Sequence, residues 1–201
     1  MEAKKINSSI LRRRKQCFSV KNVKVHIHIG SPISIPDCLQ SFTKVYSNFV
    51  VVRLDGLVFV IFRKNGYINV SGIRHFSAIK DVVLSINFHF GLNIVSEDIV
   101  VDNSTASGRL RSHHIDLRSI HNSPLADKFN ISIRPYYFPS AIIRDKSQPN
   151  FKSTHQRRYK KSENFATCIL FSNGKFIIVG GKNISMIQDS FHQLCALTST
   201  L

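Results

Sequence analysis

The sequence predicts an α+β fold: two pseudo-symmetric repeats sharing one antiparallel sheet, with helices on one face of it. Three observations carry this. Counting from Gly72 and from Gly180, a basic residue falls at +2 (Arg74, Lys182) and an apolar one at +4 (Phe76, Ile184). Ser then falls at +5, Ile at +7 and Asp at +9 (Asp81, Asp189) in both copies. Upstream, residues 58–72 parallel 167–181, each an apolar strand ending in Phe, a tight Gly turn and a second strand. Finally, Val23, Val25, Ile27 and Ile29 alternate with Asn22, Lys24, His26 and His28, the period-two pattern of a strand with one buried face.

In chain order, that alternating strand opens the first repeat. A short helix capped by Ser34 is expected next, burying Leu39 and Phe42. Three strands follow, one from Phe49, one ending at Phe62, and one after the Gly66 turn. A long helix then carries a single apolar stripe of Phe76, Ile79, Val83, Ile86 and Phe90, with Gly91 placed as its stop. The second repeat repeats the order. Its short helix is expected after Ser112 with Leu117 and Ile120 buried, and its long one buries Ile184, Ile187, Phe191 and Leu194. The expected organisation is a basic arm over 1–18, a first repeat over 19–96, and a second over 97–201 interrupted by a basic loop at 145–163.

Charge is unevenly placed. In 201 residues, 28 Lys+Arg against 12 Asp+Glu leave +16. Residues 1–25 carry net +7 and residues 144–163 net +5, leaving +4 for the rest. Arg12-Arg13-Arg14-Lys15 reads as a nuclear address, a phosphate clamp or a solvated tail. A polyanionic partner is expected, nucleic acid before membrane surface. No apolar run reaches the ~20 residues of a membrane helix, and no apolar segment follows the basic start as a secretory signal would require. Cys17, Cys38, Cys168 and Cys195 are scattered, which fits a reducing compartment.

No catalytic pattern emerges. His26/His28 and His113/His114 lack Cys or acidic partners at metal-site spacing, so exposed strand histidines and no metal are expected. Asp81 and Asp189 read as solvated helix charges, and Val179-Gly180-Gly181-Lys182 lacks the phosphate-loop spacing. Neither an enzyme, a cofactor nor a small-molecule substrate is expected. Four phenylalanines do stand at matching places in the two repeats: Phe49 and Phe62, Phe138 and Phe171. Each could be a core residue or a ring at a sheet rim able to unstack a base step. Asn22 and Asn103 are plain strand residues or amide donors to the acceptors of an A·T minor groove.

With those residues in register, the chain resembles the TATA-box-binding protein family from about Val20 to its end. The resemblance implies a curved saddle with the helices on its convex face and its underside in the DNA minor groove. It implies wedges at Phe49, Phe62, Phe138 and Phe171, the last followed by Ser172-Asn173-Gly174-Lys175, and Pro139 after the third as in the family's Phe-Pro. Minor-groove contact is implied for Asn22, Asn103, Lys24, Thr105, Val60, Asn69, Ser71, Pro139, Ile169, Ile177 and Val179, and backbone contact for Arg53 and Arg144. The implied partners are double-stranded A·T-rich DNA, transcription initiation factors and RNA polymerase machinery, in the nucleus (a host nucleus for a viral chain). Two other readings stay open: a protein-interaction module, or a non-specific nucleic-acid binder that has lost promoter recognition. The family's apolar positions are filled by Lys24, Thr105 and Asn69, and Val179 replaces its second Thr. Where the family has Glu-Pro-Glu, this chain has Arg134-Pro135-Tyr136, which implies a changed protein partner.

Overall fold

The alternation in β1 (Phe18–His28) does not run unbroken, and that break organises the molecule. Phe18 is buried on even phase, whereas Val23, Val25 and Ile27 are buried on odd phase. The register against β6 (Ile99–Arg109) slips between Val20 and Asn22, so Lys21 is an extra residue that flips every later side chain. A matching slip between Lys24 and Val25 leaves Asp102 extra in β6. A computed structural model describes residues 18–111, 114–135, 139–146 and 165–199. The expected arm and inserted loop fall almost wholly outside them.

The remaining strands are β2 (Thr43–Val45), β3 (Val50–Leu54), β4 (Leu57–Phe62), β5 (Tyr67–Ile73), β7 (Phe129–Arg134), β8 (Ser140–Asp145), β9 (Thr167–Phe171) and β10 (Lys175–Gly181). All pairings are antiparallel in one ten-stranded sheet, ordered β2-β3-β4-β5-β1-β6-β10-β9-β8-β7. The edge strands β2 and β7 were not expected from the pattern. β2 has only three residues, too short to show a period.

Helix α1 (Ile79–Phe90) lies on the first half, burying Val82, Ile86 and Phe90 with Val25, Ile27, Phe59 and Ile61. Helix α2 (Ile184–Thr198) lies on the second, burying Ile187 and Leu194 with Ala106, Leu170, Phe176 and Ile178. Each central strand feeds both cores. Phe18 joins the second-half core, while Ile99 and Val101 of β6 pack on the first. Gly91 ends α1 in the left-handed conformation, φ 63°, as expected. Asn183 caps α2, its Oδ1 accepting from Met186 N at 2.8 Å.

Three packing expectations need correction. Ser34 caps nothing, because the 3-10 helix Asp37–Phe42 begins only after Pro36, whose ring holds φ at −60° and keeps the preceding residue extended. Phe42 is 51% exposed, since it leads into the outermost strand, which has no neighbour on its far side among the described residues. Ile184 is 38% exposed at the first turn of α2, where Met186 and Ile187 take the inward places. Leu39, Leu117 and Ile120 are buried as expected, the last in a short 3-10 turn, while Ser112 lies outside the described residues.

Gly66 makes the turn after β4 with φ +65°, and an added Cβ would collide with the carbonyl of Ser31. Gly66→Ala is expected to cost about 2 kcal/mol or more, from backbone strain together with this overlap, read as a lower urea midpoint. Among the described cysteines, Cys38 is exposed, while burial, and secondarily Cys195, push the Cys168 thiol far above its ordinary value. Cys38 should therefore alkylate at pH 8 in the native protein and Cys168 only after denaturant is added.

Candidate nucleic-acid interface

Among the described residues, the helices leave the other face of the sheet open. Its centre is the β1–β6 seam, where Val23 faces Ser104, Asn22 faces Thr105 and Lys24 faces Asn103. A pseudo-two-fold axis through the Val23·Ser104 pair thus exchanges Asn22 with Asn103 and Lys24 with Thr105. Both pair members are buried, and the Ser104 hydroxyl donates to Gly181 O at 2.8 Å.

The two asparagines are held differently. Gly72 N donates to Asn22 Oδ1 at 2.8 Å, a bond only the amide oxygen can accept. The amide NH2 is left with two donors that Gly72 does not use. Asn103 Oδ1 is enclosed and takes no hydrogen bond from the described residues.

Outward from the seam the open face runs in cross-strand rows. In the first half His26 lies beside Asn69, then Val60 and Val51; one row along, Ser71 lies beside Val58, which faces Arg53. In the second half Ser107 lies beside Ile177, then Ile169 and Ile142, and Thr105 beside Val179 and Thr167. Most of these side chains are half-buried, as befits a pleated face with no layer over it; Lys24 and Arg53 are exposed and Ile142 is buried. Arg144 is half-buried in β8, across from Asn130.

Phe49 and Phe62 meet at the end of the first half, ring centroids 5.7 Å apart. Phe49 sits just before β3 and Phe62 closes β4. Tyr46 stacks on Phe49 at 4.7 Å and 22°, making a row of three rings beside a cleft of about 530 Å³ that Arg63 and Lys64 also line. At the far end Phe171 closes β9 opposite Ser140, with Pro139 exposed beside it. Phe138 lies outside the described residues.

The sequence pattern did not expose an ionic cluster on this face. His26 Nδ1 lies 2.7 Å from Asp102 Oδ1, and Lys24 Nζ lies 3.9 Å from Asp102 Oδ2. His26 is therefore a half-buried hydrogen-bonded side chain rather than a simple exposed histidine; His28 is exposed and stacks on Tyr67 at 4.2 Å. Lys182 donates to the carbonyls of Val101 and Asp102 at 3.1 and 2.7 Å, pinning the β6 bulge. The spacing of 76 residues between His26 and Asp102 hid the pair. No grouping of three or more His, Cys, Asp or Glu that could hold a metal occurs among the described residues, and no helix among them is long and apolar enough to cross a membrane.

Residues 98–199 match the family described as transcription factor TFIID, or TATA-binding protein. The chain belongs to this family. The fold agrees: TATA-binding protein of Methanococcus jannaschii superposes with a TM-score of 0.66 at 17% identity, over 92% of this chain and 99% of that one. No curated protein sequence matches significantly. The family is one of DNA-binding transcription factors rather than enzymes. The family match begins at residue 98, so β1 to α1 lie outside it.

The two asparagines should separate in stability. Asn22→Leu leaves the Gly72 N–H without its partner and is expected to cost about 1–2 kcal/mol. Asn103→Leu removes an amide oxygen that is already unpartnered, so it should be neutral or stabilising. Urea midpoints of the two variants, side by side, check this.

Proposed function

We propose that this chain is a transcription initiation factor that seats its open face in the minor groove of A·T-rich promoter DNA and bends it. The observation that carries the reading is the pseudo-two-fold seam: Asn22 and Asn103 at the centre of an uncovered face, with Phe49/Phe62 and Phe171 at its two ends. Side-chain amides are donors, and A·T pairs present only acceptors in the minor groove. A broad half-apolar face suits that groove better than a layer of cations would.

In this reading the sheet curves as a saddle with α1 and α2 on its convex side, and the repeats span 19–96 and 97–201. The rings Phe49 with Phe62, and Phe138 with Phe171, enter base steps at either end. Unstacking a step costs a few kcal/mol, and burying a Phe side chain returns roughly 1.5–3 kcal/mol. Two rings per step therefore come near balance, and steps that unstack cheaply, pyrimidine–purine ones, are favoured. Val60, Asn69, Ser71, Ile169, Ile177, Val179 and Pro139 line the groove beside Lys24 and Thr105, while Arg53 and Arg144 meet phosphates. The basic arm at 1–18 and the loop at 145–163 add sequence-independent grip. Initiation factors and polymerase machinery dock on the helix-bearing side, in the nucleus.

Energy transfer between dyes at the ends of a short A·T-rich duplex tests this. Wild type should shorten the end-to-end distance. Phe49→Ala with Phe62→Ala, and Phe138→Ala with Phe171→Ala, should each reduce the bend and weaken binding about tenfold or more. Unchanged bending in both double variants overturns the wedges. No duplex binding at all favours a protein-interaction module, and binding with a steep salt slope but no sequence preference favours a nucleic-acid-coating protein.

A further inference from the structure

The two halves of the open face differ in hydrogen-bonding chemistry at two related positions. Across β8, β9 and β10 the second half lays Ile142, Ile169 and Ile177 side by side, with Val179 one row along. At the matching positions the first half has Asn69 where Ile177 stands and Ser71 where Val179 stands. The bulge residues differ as well. Lys21 and Asp102 occupy two-fold-related slips in the central strands and carry opposite charges. Asp102 is held on the first-half side by His26 at 2.7 Å and lies 3.9 Å from Lys24, so its negative charge is offset by Lys24. At Asn69 and Ser71 the first half thus displays an amide and a hydroxyl, both able to accept, where the second displays branched hydrocarbon. The second half's hydroxyls, Ser107 beside Ile177 and Thr105 and Thr167 beside Val179, stand on the flanking strands.

Only one group separates G·C from A·T in the minor groove: the guanine N2 amino donor. Pressed onto the Ile142, Ile169 and Ile177 row it would lose water and gain no acceptor from those side chains. Against Asn69 and Ser71 it meets oxygens, and no side-chain hydrogen bond within the described residues already engages those two. We propose that the first repeat accepts a G·C pair through Asn69 and Ser71 and the second repeat does not, so that the DNA site is chemically asymmetric. This inference rests on the minor-groove reading given under Proposed function. Asn69 and Ser71 are its specificity-determining residues.

The test uses the full chain with a DNA-cleaving chelate on exposed Cys38, in a background with Cys17→Ser and Cys195→Ser, so that cleavage marks which half-site lies under the first repeat. A single G·C is placed in either half of an A·T-rich duplex, and again as inosine·C, which lacks the N2 amino group. Under the first repeat G·C should change Kd by no more than about threefold, and under the second it should weaken binding by about tenfold, with inosine restoring it. In Asn69→Val with Ser71→Val, the ratio of Kd for G·C over A·T in the first half should rise to that of the second. Equal guanine penalties in both halves of the wild type overturn the proposal, as does a double variant whose ratio stays low. The wild-type inosine comparison decides the matter even where the variant fails to fold. If no A·T-rich duplex is bound, the minor-groove reading fails and takes this inference with it. If duplexes are bound and bent with symmetric guanine penalties, the inference alone fails.

Discussion

The antiparallel pairing of β1 with β6 is the interaction on which everything else depends. It is the only place among the described residues where strands of the two halves meet, and it fixes which side chains reach the centre of the open face. Because the side-chain period of a strand is two, each bulge reverses the faces on either side of it. With both bulges in place, β1 and β6 each send residues into both hydrophobic cores while keeping Asn22, Lys24, Asn103 and Thr105 on the uncovered side. Removing either bulge would turn buried valines outward and polar residues into the core.

The seam also explains how a nearly symmetric scaffold carries an asymmetric surface. The backbone positions obey the two-fold closely, but their occupants do not. Ser104 replaces the symmetry-related Val23 and satisfies its buried hydroxyl on Gly181. Asn22 is oriented by a backbone amide, whereas Asn103 is enclosed without a partner. Lys182 anchors the carbonyls of the β6 bulge, placing the Asp102 backbone so that its carboxylate turns to His26 and Lys24. Chemistry has diverged where the fold did not need to.

Much of the fold was legible because it repeats. The shared spacing from Gly72 and Gly180, the 3-and-4 stripe of α1 and the alternation of β1 are local patterns, and each element formed close to where those patterns put it. The misses have physical causes. β2 is too short for a period, Pro36 overrode the Ser34 cap, and Phe42 fell at a sheet edge where nothing covers it. Within the site, Asn22, Asn103 and the Phe49/Phe62 pair could be placed from symmetry alone. The Asp102–His26–Lys24 cluster and the Tyr46 ring could not, because they depend on register across strands and on the approach to β3. The charge excess says even less about the site, since the open face is built mostly of amides, hydroxyls and hydrocarbon.

The central claim is that the uncovered face reads the minor groove. Replacing every A·T pair of a bound duplex by inosine·C keeps the pattern of minor-groove acceptors, while in the major groove it exchanges the amino donor with the carbonyl acceptor and removes the thymine methyl. Titration of the full chain against the two duplexes at one salt concentration should give affinities within about threefold and the same bend, less than the roughly 1–3 kcal/mol that a single mismatched pair costs. Loss of binding to the inosine·C duplex, with binding to the A·T duplex intact, would place the contacts in the major groove and contradict the account.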